Sequence, residues 1–255
     1  MVDELRAYRG SDYELNSKIK VHQPTLGEIA DYGEQRYFSL VHYICSTPAD
    51  RKVEIWDSQH IYWDAVDEFK LFVSTILALG SVEDYDIKIL LPTLDIKSFQ
   101  IAVNSMPEKA VSMKEDVLQN IALVNKDGVV IDRVIHKLLT DYLRQVHRLK
   151  KNVDVGYNNY TKDIMIEDDR DEARLAKKNG YKSQLKPLIS ALTNTAEFKY
   201  RWDDVWMLPI GVFMDSVERV QRNKNYTFLM EGIYHGTIDS GKIRKREYNW
   251  MAPLE

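Results

Sequence analysis

The sequence predicts an α+β, mainly helical chain: helices with one small antiparallel sheet. Three observations lead there. Apolar residues recur at spacings of three and four in several stretches, among them 26–44, 134–146 and 206–217. Capping residues stand at the head of these stripes. In the middle of the chain the texture changes to β-rich runs around an Asp-Gly pair.

Residues 1–16 read as a polar arm. Lys18 to His22 alternates polar and apolar, which predicts a short half-buried strand that Pro24 stops. Thr25, Leu26, Gly27 and Glu28 match the capping box, in which threonine and glutamate satisfy each other's orphan backbone donors. The helix that follows turns Leu26, Ile29, Tyr37, Leu40, Val41 and Ile44 toward a core, and Thr47-Pro48 ends it. A second short helix is expected over 49–56 and a loop over 57–62. Asp64 or Asp67 can cap the next helix, whose buried face is Val66, Phe69, Phe72, Ile76 and Leu77 and whose stop is Gly80.

Residues 85–91 and 99–103 then read as β-rich runs split by Pro92. The runs 121–124 and 129–131 flank Asn125-Lys126-Asp127-Gly128, a hairpin signal because glycine accepts positive φ. Asp132 caps a strong helix with a wide stripe of Val134, Ile135, Leu138, Leu139, Tyr142, Leu143 and Val146. Arg144, His147, Arg148, Lys150 and Lys151 gather at its end. They either complement the helix dipole or form an anion patch. Residues 153–182 read as a charged linker with one or two exposed helical turns, and 183–192 as a helix with Pro187 near its first turn.

The most strongly patterned stretch is 202–229. Asp203 and Asp204 can cap its start, and Trp206, Ile210, Phe213, Met214 and Val217 share one face. Pro209 predicts a kink or a new first turn. Asn223 and Asn225 suggest a break and a second helix over 226–234, making a hairpin that buries Trp206, Phe213, Phe228 and Leu229 together. Aromatics so spaced are core by default. Their functional alternative is a partly exposed patch that meets another protein, with Trp202, Trp206, Phe213, Phe228 and Tyr234 as its partner-binding residues. The expected organisation is an arm (1–16), a helical unit with the sheet (17–152), the linker (153–182) and a C-terminal helical unit (183–255).

Composition narrows the function. The formal charge of -4 offers no general attraction to nucleic acid or an anionic membrane. Cys45 is the only cysteine, so no intramolecular disulfide can form and a reducing compartment is expected. No apolar run approaches the roughly 18 residues of a membrane span, and the first residues lack an apolar signal core. A cytosolic setting follows. The six histidines show no metal-ligand spacing, and phosphate-loop, dinucleotide and nucleophile-elbow motifs are absent. The acidic run Glu167, Asp168, Asp169, Asp171 and Glu172 is the one dense carboxylate set. Consecutive carboxylates on a linker do not by themselves converge on metal ions as a two-metal nuclease requires. No enzyme is expected, and no catalytic, cofactor-binding or metal residue is assigned.

Four stretches carry a resemblance: IKVHQPTLGEIADYGEQRYFSLV (19–41), VEIWD (53–57) with DEFKLFV (67–73), KSQLKPLISALTNTAEFKYRWDDVWMLPIGVFMDSVERVQ (182–221), and LMEGIYHGTIDSGKI (229–243). The chain resembles a family of tail-module proteins of tailed bacteriophages of Gram-positive hosts, over most of its length except the linker and the sheet. None of these motifs is catalytic. The resemblance implies a tail assembly chaperone in the host cytoplasm. Such a protein would hold the tape-measure protein soluble until the tail tube protein polymerises around it. The chain is larger than most such chaperones, so a structural virion subunit of the tail or neck, self-associating as a homo-oligomer, stays open beside it. A metal-dependent nuclease using Asp168 or Asp169 is the third reading.

Overall fold

The Thr25 capping box forms as expected, with the Glu28 N–H donating to Thr25 Oγ1 at 3.2 Å and the Thr25 N–H to the Glu28 carboxylate at 2.7 Å. It starts α2 (Leu26–Tyr32) in the computed structural model of the chain, which describes residues 4–83, 85–103 and 121–254. Gly33, at φ +97°, ends α2 and lets α3 (Glu34–Cys45) restart at once. Both helices still turn the expected stripe inward: Leu26, Ile29, Tyr37, Leu40, Val41 and Ile44 are all buried. A 3₁₀ turn (Pro48–Arg51) leads into α4 (Lys52–Gln59). Of the two aspartates, Asp67 is the cap of α5 (Glu68–Gly80), accepting the Lys70 N–H at 2.9 Å.

The central sheet is β3 (Gln100–Val103), β4 (Ile121–Val124) and β5 (Val130–Ile131), antiparallel in that order. Gly128, at φ +69°, closes the turn between β4 and β5. Asp132 then caps α6 (Arg133–His147) through the Ile135 N–H at 2.8 Å. The architecture is α+β and mainly helical, with a second small antiparallel pair beside the expected sheet.

That pair is β1 (Tyr13–Glu14) with β2 (Lys20–Val21), and it corrects the reading of 1–16 as an arm. Residues 1–3 lie outside the described residues. The rest of the segment forms α1 (Glu4–Tyr8), a turn and β1, all held to the body. Tyr13 stacks on Tyr142 with ring centroids 4.5 Å apart, and Gln23 Nε2 donates to the Ala7 carbonyl at 2.8 Å and to Tyr142 Oη at 2.9 Å. Gly10 has φ +81°, and a Cβ there would lie 2.3 Å from Pro209 Cγ. Gly10→Ala therefore combines a left-handed backbone penalty with a steric clash. It is expected to lower stability by about 2 kcal/mol or more in urea denaturation. A loss too small to resolve would mean that the turn yields freely.

Residues 85–91 are not a strand. Ile87, Leu90 and Leu91 are buried at spacings of three and one, and the Leu90 and Leu91 N–H groups both donate to the Ile87 carbonyl in a single tight turn. The Asp86 side chain starts that turn by accepting the Lys88 N–H at 2.8 Å.

The expected linker carries a long helix, α7 (Asn159–Asn179), capped by Asn158 through the Thr161 N–H at 2.8 Å. Its composition is that of a solvated segment, and what holds it comes from far away in sequence. Lys52 pairs with Asp169 at 2.5 Å, Lys162 with Asp64 at 2.5 Å, and Arg170 with Asp57. Ile166 joins Ala49, Ile55 and Trp63 in a small second core.

Then come α8 (Leu185–Thr193), α9 (Trp202–Val205) and α10 (Ile210–Tyr234). Pro209 sets the new first turn of α10 and does not kink it. The expected break at Asn223 and Asn225 does not occur. Two asparagines cost a helix at most about 0.7 kcal/mol each, and α10 runs through them for 25 residues. No hairpin forms, so Phe228 is exposed while Phe213 is fully buried. The main core is continuous across the chain, with Leu185, Ile189, Leu192, Val205, Leu208, Ile210 and Phe213 packed together with α2, α3, α5, β4 and α6. Backbone bonds tie the starts of α2 and α10 together: Leu26 N–H to Leu208 carbonyl at 3.0 Å and Ile210 N–H to Pro24 carbonyl at 2.9 Å.

Candidate functional site

The capping-box helix and α8 lie side by side and leave an apolar groove between them. Glu34 sets this arrangement. Its carboxylate accepts the N–H groups of both Gln184 and Leu185 at 2.7 Å, while Ser183 Oγ accepts the Lys186 N–H at 2.9 Å, so the first turn of α8 is capped from two sides. Tyr181 stands beside the same carboxylate, and partial burial together with the Glu34 charge pushes its hydroxyl up to about 12. The Gly27 N–H donates to the Trp206 carbonyl at 2.8 Å, which fixes the α9 turn over the start of α2.

The resulting groove has a volume of about 660 Å³. Leu26, Ile29, Leu185 and Ile189 line it, and Trp202 and Trp206 form its wall. The tryptophans meet edge to face, with ring centroids 5.6 Å apart and planes at 88°. Trp202 is 58% exposed and Trp206 half-buried, so a large aromatic surface is held at an opening rather than in the core. The rim is polar, with Lys186, Ser190 and Asn194.

Of the residues singled out in the sequence, Trp202 and Trp206 come together here. Phe213 does not reach the surface: it is 0% exposed and belongs to the core. Phe228 and Tyr234 are exposed at 67% and 88%, on the distal half of α10 and outside this groove. The groove lining was missed. Leu26 and Ile29 sit on a stripe that reads as ordinary core, Leu185 and Ile189 lie in a stretch that reads only as a helix, and the packing of α2 on α8 makes the four a site.

Three members of the acidic run are engaged internally. Asp169 pairs with Lys52, Glu167 with Arg170 and Asp171 with Arg174. Among the described residues no group of three His, Cys, Asp or Glu side chains is placed to hold a metal ion. Three residues of the basic cluster ending α6 are matched by carboxylates, Arg144 and Lys151 by Glu68 and Arg148 by Asp215 and Glu218, while His147 bonds the Tyr37 hydroxyl and the Leu143 carbonyl. Burial pushes the Cys45 thiol up to about 12, which makes it a poor nucleophile at neutral pH. No described helix is long and apolar enough to cross a membrane.

Residues 176–255 match the family model described as YomV second domain, a match that begins in the last turn of α7 and takes in α8, α9, α10 and the tail. That family is phage-associated, which is consistent with a phage protein. No curated protein and no solved structure matches the chain.

Proposed function

We propose that the chain is a non-enzymatic phage tail assembly chaperone whose tryptophan groove holds an amphipathic helical segment of the tape-measure protein. The observation that carries this reading is the open apolar groove walled by Trp202 and Trp206. A helix presenting apolar anchors at i, i+3, i+4 and i+7 fits a groove between two helices, and a tape-measure chain offers such faces along its length. One short groove gives a modest affinity, so the tail tube protein could displace the chaperone as it polymerises. The match to a phage-associated family supports the setting in a phage.

Trp202→Ala removes an exposed ring and leaves the core untouched. It is expected to weaken tape-measure binding by about 30-fold, the effect of a 2 kcal/mol hot spot, with the melting temperature unchanged. The partner experiment is quantitative mass spectrometry of purified virions against infected-cell lysate. Abundance in lysate with absence from particles supports the chaperone. A fixed copy number in particles replaces it with a structural subunit of the tail or neck.

A further inference from the structure

The last residues of the described chain fold back along α10 as a strap, and both ends of this strap are built in. At one end Gly236 takes φ +72°, and the Thr237 and Ile238 N–H groups both donate to the Gly232 carbonyl. Gly232 is a costly residue inside a helix, and its lack of a side chain is used: a Cβ there would lie 2.5 Å from Ile238 Cδ1. At the other end Arg219 Nη1 donates to the Trp250 and Ala252 carbonyls at 3.0 and 2.8 Å. Arg222 Nη1 donates to those of Ala252 and Pro253 at 2.9 and 3.0 Å. Arg219 is oriented in turn by Asp215, which also holds Arg148 of the α6 cap.

Between these two anchorages a groove of about 730 Å³ stays open. Its apolar lining is Tyr226, Phe228, Leu229, Ile238 and Leu254. Gln221 and Asn225 also line it, on the α10 side. Both are exposed, and neither side-chain amide makes a hydrogen bond within the described residues. Four residues apart on a helix, they are separated by about 6 Å along its axis. An extended peptide repeats its side-facing main-chain groups every two residues, about 6.6 Å. Each amide carries a donor and an acceptor, so the pair matches successive N–H and C=O groups on one edge of an extended strand. The stretch of α10 from Glu218 to Leu229 is about 16 Å long, the reach of roughly five extended residues. The two acids lining the groove, Glu218 and Glu247, are equalled by two arginines, Arg222 and Arg246, so the charge favours an occupant without net charge.

We propose that the groove between α10 and the strap is a second protein-binding site, which takes a short, uncharged, extended peptide segment and reads its main chain through Gln221 and Asn225. This site stands apart from the tryptophan groove and does not depend on what that groove binds.

The test uses the full chain and a displayed library of random ten-residue peptides. Enriched peptides are expected to bind at least tenfold more weakly to the Gln221→Ala, Asn225→Ala variant, which changes only exposed helix positions. They are expected to bind Trp202→Ala as well as the native chain, and to lose affinity when alternate backbone amides are N-methylated. The proposal is overturned if no peptide is enriched, or if the enriched peptides bind the double variant as tightly as the native chain. It is equally overturned if their binding disappears with Trp202→Ala, which would assign them to the other groove.

Discussion

Acidification from pH 7 to pH 4.5 is expected to cost the folded chain about 5 kcal/mol through two buried histidines. Burial pushes His136 and His147 each down to about 4 from an ordinary value of 6.5. His147 Nδ1 faces the Leu143 carbonyl at 2.7 Å, and a carbonyl only accepts. Nδ1 therefore carries the proton, and Nε2 accepts from the Tyr37 hydroxyl at 2.5 Å. His136 packs against Phe69 and Phe72, with ring centroids 5.5 and 4.4 Å away. Glu68 and Asp67 favour its protonation, while Arg144 and Lys151 oppose it, and burial outweighs them all.

The sign follows from linkage. Both groups titrate lower in the folded chain than in the unfolded one. Between pH 6.5 and pH 4 the unfolded chain therefore binds more protons, and stability falls as pH falls. Two protons give a slope of about 2.7 kcal/mol per pH unit in the middle of that window. Asp67, Glu68 and Glu28 also titrate below their ordinary values. Burial acts to raise each of them, but hydrogen bonds from Arg133, from Lys151 and Arg144, and from Thr25 respectively win. Their share of stability starts to be lost as pH falls through the ordinary carboxylate values of 3.8 to 4.5 and goes on being lost below them, so the histidine loss, which starts near pH 6.5, comes first. Urea denaturation at half-unit steps from pH 7 to 4.5 reads this directly, and His136→Phe should halve the slope whatever it does to absolute stability. Stability that stays flat down to pH 5 would contradict the assignment.

What the sequence disclosed and what it hid divide along a physical line. The Thr25–Glu28 box, the Asp67 and Asp132 caps and the Asn125–Gly128 turn join residues at most four apart, and each was legible because the chemistry is local. α7 was not, because its anchors Lys52, Asp57 and Asp64 lie about a hundred residues earlier in the chain. The continuity of α10 was misread for a different reason. Asparagine is a common cap but only a weak helix breaker, and the side chains at 223 and 225 met no competing partner strong enough to stop the helix. Half of the tryptophan groove was visible as two aromatics four residues apart. The other half needed Glu34, about 150 residues upstream, to cap α8 and set it against α2.

The second large effect is expected at the junction of α3, α5 and α6. Arg144 is almost wholly buried. It caps the end of α3 by donating to the Cys45 carbonyl at 2.6 Å, and it reaches the Glu68 carboxylate at 3.1 Å. Lys151 closes the other side of Glu68 at 2.5 Å, while Glu68 itself stands in the first turn of α5, where a negative charge suits the helix dipole. Removing the carboxylate leaves a buried guanidinium with one neutral acceptor and no counter-charge. Glu68→Ala is therefore expected to lower stability by about 3–5 kcal/mol. Arg144→Met leaves the less buried Glu68 with Lys151 and some solvent, so it should cost less. Changing both partners together, as Glu68→Leu with Arg144→Met, should cost less than the sum of the single changes, because no charge is then stranded. Urea denaturation of the single and double variants measures this coupling. A Glu68→Ala loss under about 1 kcal/mol, the range of an exposed pair, would mean that water replaces Glu68 at Arg144 and that the junction is held by its apolar neighbours instead.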